Sequence, residues 1–338
     1  MKVIIDKISR IHKYKKDWDS IFLQGNFTPF QSYEWLIMLI IEYKNNIFLK
    51  LSSKAYIAVL ITDKIEILFP FYVKKVGKKR GIFLFGSGGK TDYLDIMHDS
   101  GINNFKLHFL LNFISKKFSL KNFSFQMLNS SSLSYKILNQ MKESNFQFES
   151  ECAVIKLPNN SDDYFNNLSK NFRQNIRTAK NRLITDGKTF SFQTFPSNSI
   201  DLQKLYDYKK VYHKRYLEKN SGLHFLYRYF HGYDIYFDSF NKVSNCIISE
   251  LVIDNAIASY FISFVDLKGG VYISRITYDS IFNRYSPGIL LIENFINEVF
   301  KGNYKNCSFI DLTNGSETYK YTFQAEKHFS HLIELKMF

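Results

Sequence analysis

Ile276-Thr277-Tyr278-Asp279-Ser280-Ile281-Phe282-Asn283-Arg284-Tyr285-Ser286-Pro287-Gly288-Ile289-Leu290-Leu291 reads as a strand that feeds through a loop into a helix. Ser286 suits the N-cap, Pro287 fits the first helical position, and Gly288 lets another group approach the backbone closely. Ile292, Phe295, Ile296 and Val299 mark one buried face, and Gly302 suits the stop. Free N–H groups from Gly288 through Ile289 to Leu290, with the positive end of the helix dipole, would seat a pyrophosphate, and Arg284 stands beside them. An ordinary capped helix carries the same local signature, so its surroundings decide the reading.

Upstream, strands are expected at 246–253, 256–265 and 271–278, with Asp254-Asn255 as a tight hairpin signal. Downstream come a strand at 308–312, a helix at 317–324 and a strand at 331–335. Before them, helices are expected at 161–185, 202–219 and 225–237. The first half alternates in the same way, with helices at 15–23, 32–43, 104–118 and 132–143. Its strands are expected at 46–51, 55–61, 65–73, 123–128 and 146–157. After Pro158 the chain turns polar and basic, which places a boundary between domains 1–157 and 158–338, two successive α+β units.

Composition agrees with this size. The 338 residues are 45% hydrophobic and 17% aromatic, enough for two moderate cores. The net charge of +14 favours polyanionic partners, whether nucleic acid, anionic membrane or phosphate-bearing ligands, although Lys, Asn, Ile, Phe and Tyr are also what AT-rich codons supply. The richest apolar run, from Trp35 to Ile41, falls far short of the ~20 residues a membrane span needs. The start, Met1-Lys2-Val3-Ile4-Ile5-Asp6-Lys7, lacks the pattern of a secretory signal, so a cytoplasmic protein is expected. Cys152, Cys246 and Cys307 are odd in number and far apart, which fits buried thiols, and the eight histidines show no metal-ligand spacing.

The order of three antiparallel strands, loop, helix, strand and Gly315-Ser316-Glu317-Thr318-Tyr319-Lys320 resembles the C-terminal half of the GNAT fold. More narrowly, Tyr278, Tyr285-Ser286-Pro287-Gly288, Leu290-Leu291, Asp311-Leu312, Gly315 and Tyr319-Lys320 resemble the CelD-type acetyltransferases of exopolysaccharide and cellulose biosynthesis, relatives of the Fem-type aminoacyltransferases. Phe30-Gln31-Ser32-Tyr33-Glu34-Trp35, Asp92-Tyr93-Leu94-Asp95 and the Arg-rich segment from Phe172 match further elements of that family. Ser-Pro-Gly stands where single-domain GNAT enzymes carry an Arg/Gln-x-x-Gly-x-Gly/Ala loop. The resemblance implies an α+β fold of two tandem GNAT-like domains, each a mixed, mostly antiparallel sheet flanked by helices, with acetyl-CoA bound in the second half and no metal.

Candidate site residues follow. Arg284, Ser286, Gly288, Ile289 and Leu290 would hold the cofactor. Asp311, at the end of an apolar strand, would act as base or else cap a turn, and Tyr319 would protonate the departing thiolate or else pack in the core. Lys320 would pair with a phosphate, or else stand in solvent. Arg173 and Arg177 share a helix face that would clamp an acceptor phosphate or simply be solvated. Asp92 and Tyr93 would sit on a substrate-facing loop. Gly86-Ser87-Gly88-Gly89-Lys90-Thr91 is not a phosphate loop, because Leu84 occupies the first glycine position. His213 and His224 are further possible bases, and no nucleophile elbow or Cys/His constellation is present.

The expected activity is acyl-CoA-dependent N-acylation, N-acetylation above all, of an amino sugar carried on a nucleotide or lipid phosphate. Its partner would be that phosphate-bearing sugar, with peripheral membrane contact and no specific nucleic acid. Two alternatives are a Fem-like transferase fed by aminoacyl-tRNA, which lacks support from any long charged heptad pair here, and a noncatalytic nucleic-acid or glycan-binding module.

Overall fold

A computed structural model describes residues 1–76, 79–87, 91–142, 144–219, 240–304 and 306–337. The chain forms two compact units, Met1–Glu151 with His328–Phe338, and Cys152–Lys327.

In the first unit, β1 (Lys2–Lys7), β2 (Ser53–Ile61), β3 (Ile65–Val76) and β4 (Lys79–Leu84) form an antiparallel meander, and the short β5 (Met97–His98) pairs with β3. β6 (Asn122–Asn129) runs parallel to β4, and the last strand of the chain, β13 (Glu326–Lys336), adds antiparallel to β6. The helices are α1 (Lys15–Gln24), α2 (Tyr33–Asn45), α3 (Ile47–Ser52), α4 (Asn104–Phe118) and α5 (Leu133–Asn139). α4 buries Leu107, Leu110, Leu111 and Ile114 against Phe69, Phe71 and Phe125, the spacing of three and four that puts one helical stripe on a sheet.

The second unit repeats the plan. β8 (Phe190–Pro196), β9 (Cys246–Ile253), β10 (Ala256–Val265) and β11 (Val271–Tyr278) form the meander, β12 (Phe309–Asn314) runs parallel to β11, and the end of β7 (Ser144–Lys156) adds antiparallel to β12. Its helices are α6 (Ser161–Asn167), α7 (Lys170–Thr185), α8 (Leu202–Lys219), α9 (Pro287–Phe300) and α10 (Thr318–Thr322). Neighbouring residues of β10 point to opposite faces. Phe261 meets Phe295 of α9 at 5.2 Å between ring centroids, and the Tyr260 hydroxyl donates to the Tyr208 carbonyl of α8 at 2.9 Å, so α9 and α8 cover opposite faces. α7 joins α9 through the Lys180–Glu293 ion pair at 2.9 Å. Buried Glu250 anchors α8, accepting from Lys204 Nζ and the Tyr208 hydroxyl, each at 2.8 Å.

The structure alters several expectations. Residues 46–51, expected as a strand, begin α3, because the Asn46 side chain caps it by accepting the Leu49 N–H at 2.9 Å. The helix expected over 161–185 is two, since Ser169 caps a fresh start by accepting the Phe172 N–H at 3.2 Å. β1, β4 and β8 were not anticipated, whereas β9, β10, β11, α8 and α9 have the expected bounds. Asp254 and Asn255 take φ of 47° and 64°, the left-handed pair of a two-residue hairpin. The boundary expected after Leu157 lies just past β7, and the compact units divide inside that strand and again before His328. The helix expected at 225–237 lies outside the described residues, among which no helix is long and apolar enough to cross a membrane.

Candidate active site

Among the described residues each unit contains one parallel strand pair, and each pair holds for only two rungs. β4 and β6 share Ile82↔Phe123 and Phe83↔Ser124, and β11 and β12 share Val271↔Ile310 and Tyr272↔Asp311. In the first unit the chain fills the gap beyond the ladder. Leu94 makes a parallel bridge with Leu128, and its N–H donates to the Met127 carbonyl at 2.8 Å. In the second, the Thr313 hydroxyl donates to the Ile273 carbonyl at 2.9 Å, and Ile276 and Tyr278 further along β11 line a cavity of about 370 Å³.

Tyr278, Ser286, Gly288, Ile289, Glu317 and Tyr319 line this cavity, with Lys219 from the end of α8. Its floor is the entry to α9. The Asp279 side chain accepts the Ile281 N–H at 3.1 Å and starts a short 3₁₀ helix over Ser280–Tyr285, and Ser286 then reverses the chain at φ 48° and ψ 54°. Ser286 occupies the N-cap position, but in this conformation its side chain caps no N–H. Its carbonyl instead takes the N–H groups of Ile289 and Leu290 at 3.0 and 3.1 Å. The pyrophosphate seat expected from three N–H groups therefore narrows to Gly288, and Leu290 is a core residue with no exposed surface. A Cβ at Gly288 would come no nearer than 3.7 Å to Ile276, 3.9 Å to Ser259 Oγ and 4.0 Å to Tyr278.

The walls carry the chemistry. Burial, and next the nearby Glu317 charge, hold the Tyr319 phenol well above its ordinary range, so it remains a proton donor. Tyr278 was quoted in the motif without a role. Its hydroxyl accepts from Arg215 at 2.6 Å, and the guanidinium lies 4.4 Å from its ring centroid. A guanidinium only donates, so the Tyr278 proton is left to be given elsewhere. Arg215 stands 63 residues from Tyr278, and no local pattern announces the pair. Glu317, the carboxylate on the cavity, was quoted within Gly315–Lys320 but given no role.

Other expected residues are placed elsewhere. Asp311 is buried and lines no part of the cavity; its Oδ1 accepts the Thr313 N–H at 2.7 Å, and so holds a bulge in which Thr313 adopts φ 52°. Lys320 is not a phosphate ligand. It is 3% exposed, its ammonium donates to the carbonyls of Thr313, Asn314 and Gly315 at 3.2, 2.9 and 3.2 Å, and it also pairs with Glu317 Oε2 at 3.2 Å. Arg284 turns from the cavity to Asp186 at 3.1 Å, where the Tyr285 hydroxyl also donates at 2.6 Å. Arg173 and Arg177 lie on the exposed face of α7, opposite buried Phe172, Ile176, Ala179 and Leu183, and do not line this cavity.

Asp92 and Tyr93 belong to the first unit. Tyr93 is fully buried, which removes it from substrate contact; its carbonyl accepts from Gln31 Nε2 at 2.8 Å. Gln31 also sits in a capping box with Thr28, and the Trp35 indole donates to Thr91 at 3.3 Å. The two N-terminal motifs are thus one interlocked core element. His224 lies outside the described residues.

Residues 170–321 match the family model described as an acetyltransferase (GNAT) domain, a span that runs from α7 to α10 and contains the cavity. No curated protein matches the sequence significantly. Among solved structures, FemX is similar over 100% of this chain and 98% of its own at a TM-score of 0.64 and 10% identity. A tandem GNAT protein from the clavulanic acid biosynthesis pathway is similar over 98% and 97%, with a TM-score of 0.54 and 6% identity. L-PGS from Bacillus licheniformis is similar over 88% and 90%, at 0.52 and 12%. At such identities the likeness is one of fold. The chain has a tandem GNAT fold and carries a GNAT acetyltransferase domain over residues 170–321, and the protein is an enzyme of the GNAT acyltransferase type.

Proposed function

We propose that the protein transfers an acyl group, acetyl in the first instance, from acyl-CoA to the amine of a sugar carried on a nucleotide or lipid phosphate. The observation that carries this reading is the single cavity wall on which Gly288, at the start of α9, meets Tyr278, Glu317 and Tyr319. The pyrophosphate of the donor rests on the Gly288 N–H and the positive end of α9, which brings the thioester between the two tyrosines. The acceptor amine attacks the thioester carbonyl carbon, and Glu317 takes its proton directly or through water. Tyr278, whose oxygen is pinned by Arg215, donates to the developing oxyanion. Collapse breaks the carbon–sulfur bond, and Tyr319 gives its proton to the leaving thiolate. The lining of this cavity by the start of α9 supports placing the donor there. Arg173 and Arg177 belong to this proposal only as a distal contact for the acceptor phosphate.

Calorimetric titration with acetyl-CoA, CoA and aminoacyl-tRNA side by side tests the assignment. Saturable binding of acetyl-CoA and CoA supports it. Binding of aminoacyl-tRNA alone establishes the Fem-like alternative, and binding of none of the three removes the acyl-transfer donor from this cavity.

A further inference from the structure

The charge of this chain is unevenly spread. Residues 43–62, 67–91 and 100–142 contain no Asp or Glu, and the second of these stretches alone holds five lysines and an arginine. The fold of the first unit gathers parts of all three at one end of its sheet. Lys54 pairs with Val73 across β2 and β3, and Lys75 pairs with Arg80 across β3 and β4. Gly81 lies against Asn122, where an added Cβ would stand 3.1 Å from the Asn122 carbonyl, so the start of β6 is at the same end. The end of α4 is there too, its Phe118 ring 4.9 Å from that of Tyr56 on β2. Lys50, Lys54, Lys75, Arg80, Lys117 and Lys121 are all exposed, and none enters an ion pair among the described residues.

Beside these cations the chain exposes apolar side chains. α3 leads directly into β2 at Ser53, itself paired with Lys74. None of the α3 residues is buried: Ile47 is 67% exposed, Phe48 56% and Leu51 82%. A sequence expectation of a strand here rested on those same apolar residues, and the structure buries none of them. Lone exposed apolar residues need no explanation, but a short helix that shows three of them within a ring of unpaired cations is the pattern of a segment that lies in a bilayer interface. Nucleic acid would reward the cations and gain nothing from Leu51 in water.

We infer that this end of the first unit docks on an anionic membrane surface, with Ile47, Phe48 and Leu51 of α3 entering the headgroup region and the surrounding Lys and Arg side chains meeting lipid phosphates. The inference stands apart from the acyl-transfer reading. It gives the enzyme a location from which a lipid-borne acceptor is reached.

Cosedimentation of the full chain with phosphatidylcholine vesicles, with and without phosphatidylglycerol, tests it. Binding is expected only with the anionic lipid and weakens as NaCl rises. The quadruple variant Lys50→Gln, Lys54→Gln, Lys75→Gln, Arg80→Gln should lower the partition coefficient by roughly a hundred- to a thousandfold. Ile47→Ser with Leu51→Ser should lower it by about tenfold or more at unchanged charge, with an unchanged unfolding midpoint. Wild-type protein that ignores anionic vesicles at low salt overturns the proposal. So does an apolar pair variant that binds vesicles normally, and tRNA binding lost in the quadruple variant would then make the patch a nucleic-acid surface.

Discussion

Gly288→Asp separates stability from ligand binding because the structure gives the two effects opposite signs. The Cβ site is open, with its nearest neighbours at 3.7–4.0 Å, which is ordinary van der Waals contact. Replacing a helical glycine removes a backbone-entropy cost of roughly 0.5–1 kcal/mol, and a carboxylate in the first turn of α9 gains about 0.3–1 kcal/mol from the helix dipole. The unliganded variant should therefore unfold no earlier than the wild type. For the donor the sign reverses, since the carboxylate stands where the pyrophosphate is to rest. Two unit charges about 4 Å apart at an effective dielectric near 20 repel by about 4 kcal/mol, on the order of a thousandfold in affinity. Thermal unfolding with and without acetyl-CoA, followed by calorimetry, reads both effects. Gly288→Ala is the control, which keeps the fold without adding charge. If Gly288→Asp binds acetyl-CoA as tightly as wild type, the start of α9 is not the pyrophosphate seat, and the reasoning from helix to cofactor fails.

Tyr319→Phe should cost roughly a hundredfold in kcat while KM for acetyl-CoA stays near wild type, because the ring remains and only the proton donor is lost; steady-state kinetics decide. Glu317→Gln should lower kcat on a similar scale and remove the acidic limb of its pH profile, whereas Asp311→Asn keeps an oxygen for the Thr313 N–H and should turn over near normally. The reverse outcome would return the base to Asp311. Lys320→Met should lower stability by roughly 1–3 kcal/mol in denaturant titration, because the buried Thr313 carbonyl loses its donor while those of Asn314 and Gly315 can turn to water. A stable variant with weakened acceptor binding would contradict the structural role. His331 packs on Tyr135 at 4.9 Å, its Nδ1 is buried without a partner, and burial, then the His328 charge, lower its pKa from 6.5. The folded state thus binds fewer protons than the unfolded one, so this contribution is present above pH 6.5 and is lost as pH falls through the folded value. His331→Phe should flatten the fall of the unfolding midpoint between neutral and mildly acidic pH, and an unchanged slope would assign the loss elsewhere.

The strands β9, β10 and β11 and the helices α8 and α9 were legible because period-two or helical patterns there coincide with local stop signals, such as Asp254-Asn255 and Ser286-Pro287. α3 was misread because apolar and aromatic residues in a short run look the same in an exposed helix and a buried strand, and Asn46 alone breaks the tie. β8 was missed since its pattern is mostly exposed, as befits an outer strand. At the site, the sequence put forward Gly288 as a cofactor contact and Tyr319 as a proton donor through the quoted motifs, and both residues line the cavity. It mistook Lys320 and Tyr93, whose polar atoms look available in sequence and are spent on backbone partners or covered in the fold. Arg215 could not be read at all, since its bond to Tyr278 is a product of how α8 lies across β11.

The exchange of final strands has a bearing on how the chain is made. β13 is made after the whole of the second unit, yet it completes the edge of β6 in the first. Until it emerges, β6 offers an open edge, a site for wrong pairing. The β13–β6 pair therefore spans the second unit in sequence, and contacts of such long sequence separation fold slowly. The completed second unit, whose own closing strand β7 has already emerged, can then form first even though it is encoded later. Expression of a fragment that stops before His328 would leave the first unit with that edge exposed, and shared machinery for holding nascent chains would be expected to stay bound to it.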